Sequence, residues 1–181
     1  MHSADVFLYL WFNADEHWPR QLVQLIVWAG EWVPKALMGG LAVLALARPD
    51  WRRVLLLATL GLALTWIMVR LFRTWLPMPR PAALQLGTQW LAQGTRPGFP
   101  SMPAAGTFAV AMVMLLLRGG PLAWFYLVAA VLISLSRLVL GLHFPLDIVV
   151  GACVGSFVAG CVAGVAQRAL LPWRGSPVRP R

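Results

Sequence analysis

The chain has 181 residues, of which 60% are hydrophobic, and it carries a formal net charge of +9 at pH 7. Its mean hydropathy of +0.73 is too high for an ordinary soluble domain, so the composition indicates an integral membrane protein. A strong positive charge can also indicate a nucleic-acid-binding protein. Here, however, Lys35 is the one lysine, and many arginines fall in short breaks between long apolar runs. That placement is typical of membrane topology, so nucleic acid is not an expected partner.

The N-terminal segment, residues 1–21, contains a short apolar run that Asn13 interrupts. Asp5 stands near the start, where a secretory signal would carry basic residues, so we expect no cleavable signal peptide. The pattern favours a helix that lies at the membrane interface and is anchored by Trp11 and Trp18.

Five later apolar runs approach the roughly 20 residues that cross a bilayer. They fall near 22–46, 54–72, 101–117, 121–140 and 145–167. The sequence therefore predicts an all-α fold, a polytopic membrane bundle of about five transmembrane helices preceded by the interfacial helix. The whole chain, 1–181, would form a single membrane domain.

The breaks between these runs alternate in character. Segments 47–53 and 118–120 and the tail 168–181 are rich in arginine, which places them on the cytoplasmic side by the positive-inside rule. Counting crossings then puts the N-terminal segment, the long 73–100 segment and the 141–144 break together on the external face. A segment as long as 73–100 is more often functional than a plain connection.

Two features inside the spans have alternative interpretations. Glu31 and Lys35 lie four residues apart in the first span, where they form either a mutually paired couple or a functional site. The last span contains two pairs of glycines with the same spacing, namely Gly151 with Gly155 and Gly160 with Gly164. Such pairs let helix backbones approach closely, either within one chain or in a homodimer.

The remaining polar residues form three clusters at external ends of spans. They are Arg73 with Arg80, then Ser101, then Ser136 and Arg137 with His143 and Asp147. His143 and Asp147 share a helix face, so the aspartate can orient the imidazole and leave one ring nitrogen free as a nucleophile or base. Arginine forks match phosphate oxygens, and three of them beside an oriented histidine suit phosphoryl transfer.

Metal-assisted chemistry has little support in the sequence. Only six carboxylates occur in the chain, and no cluster of them is available to hold magnesium. The glycine-rich phosphate loop and the serine elbow are also missing from the sequence. We therefore expect a site that needs neither a metal ion nor a cofactor.

The spacing of the three clusters resembles the three-part signature of the type 2 phosphatidic acid phosphatase family. Six residues separate Arg73 from Arg80, five separate Arg137 from His143, and three separate His143 from Asp147. Arg80 is followed by Pro81, Ser101 is preceded by Pro100, and Arg137 is preceded by Ser136. The first and third parts match in full, allowing arginine for the family's frequent lysine at the first position. The resemblance covers residues 54–167.

The resemblance implies a role for each matched residue. His143 would attack phosphorus to give a phosphohistidine, and Asp147 would support the imidazole. Arg73, Arg80 and Arg137 would bind the phosphate oxygens. Ser101 and the backbone N–H groups near it, including that of Met102, would add hydrogen bonds at a helix N-terminus. The short chain, external site and compact first part look like the small bacterial undecaprenyl-pyrophosphate phosphatases of the bacitracin-resistance type.

One position departs from the family pattern. The family has Pro-Ser-Gly-His in its second part, whereas this chain has Pro100-Ser101-Met102-Pro103. The family's histidine protonates the leaving group, and Pro103 has no proton to give, so the general-acid position is vacant. The structural effect should be mild, because proline is tolerated in the first turn of a helix. Turnover should fall, because the other histidines, His2 and His17, lie in a segment with no spacing that ties it to the site as a substitute donor.

The expected function is hydrolysis of a membrane lipid pyrophosphate at the external face of a bacterial cytoplasmic membrane, with the lipid and the bilayer as partners. Undecaprenyl pyrophosphate is the expected substrate, and phosphatidic acid or phosphatidylglycerol phosphate are alternatives. A catalytically silent lipid-phosphate binding or transport protein is a further alternative, but it has no evident use for an oriented nucleophile. A structural scaffold would leave the arginines unexplained.

Overall fold

The computed structural model of the protein describes residues 3–94 and 96–169. Six α-helices follow one another in these ranges, which contain no strand. They are α1 (Ser3–Phe12), α2 (Arg20–Ala47), α3 (Arg52–Trp75), α4 (Met102–Leu117), α5 (Gly120–Val139) and α6 (Pro145–Arg168). Two short 3-10 helices, Pro49–Trp51 and Pro81–Leu84, lie in the connections. The predicted all-α membrane bundle is confirmed.

The five predicted spans correspond to α2 through α6, and α4 is shorter than the others. By length and composition four stretches of the described chain can cross a membrane, namely Arg20–Ala47, Pro49–Trp75, Gly120–Val139 and Pro145–Arg168. The 16 residues of α4 extend about 24 Å, less than the roughly 30 Å of a hydrocarbon core. The chain enters α4 through Pro100 and Ser101, which are fully buried. Irregular backbone is tolerated at depth when protein encloses it.

Helix α4 occupies the centre of the bundle, where it packs against α3, α5 and α6. Its buried residues are mostly small, and they are Ala104, Ala105, Gly106, Ala109, Val110, Ala111, Val113 and Met114. Helix α6 approaches it closely, since a Cβ at Gly151 would lie 2.6 Å from the Ser101 carbonyl oxygen. A Cβ at Gly155 would overlap the carbonyl of Ala105. The first glycine pair therefore packs within the chain.

The second glycine pair differs from the first. Cβ atoms built at Gly160 and Gly164 meet nothing within 4 Å among the described residues. A homodimer through this pair stays a prediction.

In the first span Lys35 Nζ lies 3.1 Å from Glu31 Oε1, and both side chains are exposed. The interpretation of these two residues as a mutual pair is confirmed.

The connections group at the two ends of the bundle as the crossing count predicts. At one end Arg118 donates to Asp50 at 2.5 Å and lies over the Trp51 ring. At the other end Asn13 bonds to Thr88 and Val139, which joins the N-terminal segment to the 73–100 segment and to the end of α5. Which end faces the cytoplasm stays a prediction. Residues 170–181 of the predicted basic tail lie outside the described residues, as does His2.

Candidate active site

A cavity of about 470 Å³ opens between α2, α3, α4 and α5 at the α1 end of the bundle. Six residues of the predicted site line it, namely Arg73, Arg80, Met102, Pro103, Arg137 and His143. The other two, Ser101 and Asp147, are buried directly beside these lining residues. The fold thus brings all eight predicted positions together from three segments that are distant in the sequence.

His143 is held in the turn between α5 and α6, two residues before Pro145 begins α6. Its Nδ1 lies 3.2 Å from Oδ2 of Asp147, and the same oxygen accepts a hydrogen bond from the backbone N–H of Phe144 at 3.0 Å. Because a carboxylate can only accept, Nδ1 carries the hydrogen and Nε2 keeps its lone pair. The imidazole is only 2% exposed, and it reaches open space through the cavity.

The protonation of His143 follows from its surroundings. Burial lowers the pKa of His143, and the positive charges of Arg80 and Arg73 act in the same direction. The hydrogen bond and the charge of Asp147 raise the pKa without reversing the shift. The folded protein therefore holds a neutral imidazole at neutral pH, which is the form able to attack phosphorus.

Three arginines line the same cavity as this imidazole, each from a different place in the chain. Arg73 lies in the last turn of α3 and donates to the Pro100 carbonyl at 3.1 Å. Arg80 follows a proline-rich turn, and Arg137 lies in the last turn of α5. Burial lowers the pKa of Arg80, while Asp147 acts in the opposite direction. In the described chain none of the three forms an ion pair with a carboxylate.

Several buried side-chain N and O atoms of the candidate site have no hydrogen-bond partner among the described residues. The Nε atoms of Arg73, Arg80 and Arg137 and the Oγ of Ser101 are buried without a hydrogen-bond partner among the described residues. Leaving such groups unsatisfied costs about 1–3 kcal/mol each, and more for charged groups. An anionic ligand in the cavity would accept hydrogen bonds from these four groups.

The second predicted cluster forms the entrance to α4. Ser101 is the residue that precedes the helix, its hydroxyl makes no capping hydrogen bond, and its backbone N–H donates to the Asp147 carbonyl at 2.9 Å. Pro103 lies in the first helical turn and lines the cavity. Its placement there confirms that proline is structurally tolerated at this position. His17, by contrast, is exposed and paired with Asp15 away from the cavity.

Several cavity residues were not identified from the sequence. The apolar part of the cavity is lined by Leu37 and Met38 of α2, Leu62 of α3, Val110 of α4 and Tyr126 of α5. Gly30 of α2 accepts a hydrogen bond from Arg137 through its carbonyl oxygen. Helix α2 has no motif of its own, and no local signal pairs Gly30 with a residue 107 positions away. Such contacts emerge only when the helices pack.

The sequence matches a known protein family and several of its characterised relatives. The model of the PAP2 superfamily matches residues 54–170, a stretch that includes all three site segments. The chain belongs to this superfamily. Its relatives include the decaprenylphosphoryl-5-phosphoribose phosphatase of Mycobacterium tuberculosis, which is 33% identical over 138 residues, covering 74% of this chain and 71% of the relative. The lipid A 4'-phosphatase of Bacteroides thetaiotaomicron is 44% identical over 61 residues, covering 33% of this chain and 27% of the relative.

Two solved structures share the fold of this PAP2 protein. Aquifex aeolicus LpxE superposes with a TM-score of 0.74 at 22% identity, covering 90% of this chain and 96% of that one. A transmembrane PAP2-type phosphatidylglycerolphosphate phosphatase from Bacillus subtilis gives 0.72 at 20% identity, covering 98% and 88%. The chain is accordingly a multi-pass membrane protein of a lipid phosphatase family.

Proposed function

We propose that this protein removes the terminal phosphate from a membrane lipid pyrophosphate without a metal ion. The proposed substrate is undecaprenyl pyrophosphate, and the product is undecaprenyl phosphate, as in recycling of peptidoglycan precursors. The observation that carries the proposal is the set of unpartnered arginine and serine atoms around an imidazole that Asp147 orients. We place the reaction on the external face of a bacterial cytoplasmic membrane, because the arginine-rich connections lie at the opposite end of the bundle.

The reaction has two steps. In the first, Nε2 of His143 attacks the terminal phosphorus, the bond from phosphorus to the bridging oxygen breaks, and the lipid phosphate leaves with the bond's electrons. In the second, water attacks the phosphohistidine, the nitrogen–phosphorus bond breaks with its electrons returning to Nε2, and the protons of the water leave with inorganic phosphate. Asp147 stabilises the positive charge that develops on the imidazole in the first step.

The cations and the serine act on the phosphoryl group itself. Arg73, Arg80 and Arg137 would donate to the oxygens of the group in transfer, whose negative charge they balance as it passes between nitrogen and oxygen. The hydroxyl of Ser101 and the N–H of Met102 would add hydrogen bonds at the start of α4. The Nε groups of these arginines would gain in the complex the partners that they lack in the free protein.

Pro103 limits the choice of substrate. An alkoxide leaving group must be protonated as it departs, and a general acid at that step typically contributes about 10²–10⁴-fold. A phosphate leaving group is far less basic and departs without that help. A chain with proline at the donor position is therefore better suited to a pyrophosphate than to a phosphate monoester.

A second candidate substrate is a phosphate monoester on a polyprenyl-linked sugar. It is favoured by the likeness to decaprenylphosphoryl-5-phosphoribose phosphatase, which spans most of both chains. Phosphatidic acid and phosphatidylglycerol phosphate are further monoesters that the cavity would accept at its polar end. All three would require protonation of an alkoxide, and Pro103 stands at the position from which the family's histidine supplies that proton.

The test is phosphate release from undecaprenyl pyrophosphate and from phosphatidic acid by the purified chain and by Pro103→His in detergent micelles. We expect measurable release from the pyrophosphate by the unaltered chain. Pro103→His should raise monoester hydrolysis about 10²–10⁴-fold and pyrophosphate hydrolysis by less. His143→Gln serves as the inactive control. If neither the chain nor Pro103→His hydrolyses any lipid phosphate, the silent binding or transport protein replaces the phosphatase.

A further inference from the structure

The N-terminal helix α1 lies against the turn that carries His143. Tyr9 is fully buried, and its ring centroid is 5.1 Å from that of Phe144, the residue after His143. Its hydroxyl donates to the Leu86 carbonyl at 3.0 Å. Burial raises the pKa of Tyr9 to about 12, so the phenol stays a hydrogen-bond donor at physiological pH. One side chain of α1 thus contacts both the His143 turn and the 73–100 segment.

Asn13, just after α1, makes three hydrogen bonds that join the same two segments. Its Oδ1 accepts from the Thr88 N–H at 2.6 Å, and its Nδ2 donates to the Thr88 carbonyl at 3.1 Å. The same Nδ2 donates to the Val139 carbonyl at 3.1 Å, at the end of α5. The backbone N–H of Ala14 also donates to Val139, at 3.0 Å. Asn13 therefore fixes the separation between residue 88 and the start of the His143 turn.

The turn itself is built for this close contact. Gly141 has a φ of +73°, in the left-handed region, and a Cβ there would lie 2.5 Å from the Thr88 carbonyl oxygen and 3.0 Å from Asn13 Nδ2. Beyond the turn, Asp5 accepts a hydrogen bond from the Leu146 N–H at 3.0 Å, which satisfies a free donor in the first turn of α6. The N-terminal segment therefore contacts the chain both before His143, through Asn13, and after it, through Asp5.

We propose that Tyr9 and Asn13 are positioning residues that hold the His143 turn in place. His143 must be aligned with an incoming phosphorus atom as well as with Asp147. The Asp147 hydrogen bond acts on the imidazole, whereas Asn13 at Val139 and Gln93 at Gly141 hold the backbone that leads to it. Both proposed residues precede residue 54, where the match to the family model begins, so they lie outside the matched segment. The proposal extends the proposed phosphatase and depends on it only for its kinetic readout.

The side of α1 opposite Tyr9 carries exposed aromatic side chains. Phe7 and Trp11 are 69% and 71% exposed, on the side of α1 away from buried Tyr9. Aromatic side chains in such positions favour the membrane interface. The helix that braces the catalytic turn is thereby itself held at the bilayer surface, next to the lipid substrate.

The proposal is tested with Asn13→Ala and with Tyr9→Phe, which removes one hydroxyl and keeps the ring against Phe144. The matched control is Gln167→Ala, which removes a side-chain hydrogen bond of similar length, 3.2 Å to the Leu116 carbonyl, at the opposite end of the bundle. Two experiments are done on the full chain in detergent micelles. The first measures kcat and KM for lipid pyrophosphate hydrolysis. The second measures the ¹⁵N imidazole shifts of His143, one of three histidines in the chain.

Asn13→Ala should lower kcat roughly 10- to 100-fold with KM within about twofold, because misalignment affects the attack more than binding. Its His143 shifts should move from one tautomer, with hydrogen on Nδ1, to an average of two. Tyr9→Phe should show smaller changes in the same direction, and Gln167→Ala should show neither.

Other outcomes would refute either the positioning role or the proposed phosphatase activity. If the His143 shifts in Asn13→Ala and Tyr9→Phe equal those of the control, the positioning role is refuted, whatever the activity. If the shifts move as expected but no form of the chain releases phosphate, the positioning role stands and the proposed phosphatase fails. If Asn13→Ala does not fold, Tyr9→Phe alone decides, by the same two readouts.

Discussion

Oδ2 of Asp147 lies 3.2 Å from Nδ1 of His143, with both side chains almost fully buried. The carboxylate fixes the tautomer of the imidazole, and in the proposed mechanism it balances the positive charge that the imidazole gains on attack. We predict that Asp147→Asn lowers kcat roughly 10²–10⁴-fold, by analogy with the loss of the aspartate that orients the histidine in serine proteases. Affinity for a non-hydrolysed phosphate analogue should change little, since the arginines remain. Equal losses of kcat and of analogue affinity would contradict this role.

The pH dependence of the reaction follows from the state of His143. Because burial lowers its pKa, the imidazole stays neutral until the pH falls below the usual histidine value of about 6.5. Activity should therefore persist to a lower pH than an ordinary histidine would allow and then decline, as protonation removes the lone pair. Asp147 raises this pKa, so Asp147→Asn should move the acid limb to still lower pH. Profiles of kcat/KM against pH for both forms test the sign, and an acid limb above pH 6.5 would contradict it.

Ser101 offers a test that separates stability from function. Its hydroxyl is buried, has no partner among the described residues and does not cap α4. Ser101→Ala should therefore raise the free energy of unfolding by about 1 kcal/mol, because it removes an unsatisfied polar group. The same change should weaken phosphate-analogue binding about tenfold, the effect of one lost hydrogen bond. Thermal unfolding with and without the analogue measures both, and a destabilised variant would mean that the hydroxyl has a partner after all.

Gly30 should matter because of its contact with Arg137. A Cβ at this position would lie 2.7 Å from an Arg137 guanidinium nitrogen, so Gly30→Ala should displace the side chain and raise KM about tenfold. Gly39→Ala is a matched control on the same helix, since a Cβ there meets nothing within 4 Å. Both changes should gain about 0.5–1 kcal/mol of helix propensity. Similar KM values for the two variants would exclude a role for Gly30 in placing Arg137.

The sequence predicted the candidate site residues better than the contacts that hold them in place. Motif spacing identified His143, Asp147 and the three arginines, because each pair needs a fixed separation along one helix or turn. Arg73 and Arg137 line the same cavity because α3 and α5 both end there, and the apolar runs predicted this through the crossing count. The parts of the site that no motif covers come from contacts over long separations, such as Asn13 with Val139, 126 residues apart. Contacts of that kind depend on helix packing and leave no local pattern.

The length of α4 was harder to predict for a different reason. The apolar run at 101–117 looks like the others, since hydropathy does not distinguish a lipid-facing helix from one that protein encloses. Eight of the 16 residues of α4 are buried, whereas the long α2 has only four buried positions. A central helix can be short because its neighbours, rather than lipid, surround the chain where it begins.

The most direct test of the account is to trap the phosphoryl group on the protein. The chain is mixed with undecaprenyl pyrophosphate carrying ³²P in its terminal phosphate, quenched in denaturant and digested. We predict a label that is stable to base and lost in acid, on the peptide that contains His143, and no label in His143→Gln. Phosphate release by His143→Gln at the rate of the unaltered chain, or a label on another residue, would contradict the proposed mechanism.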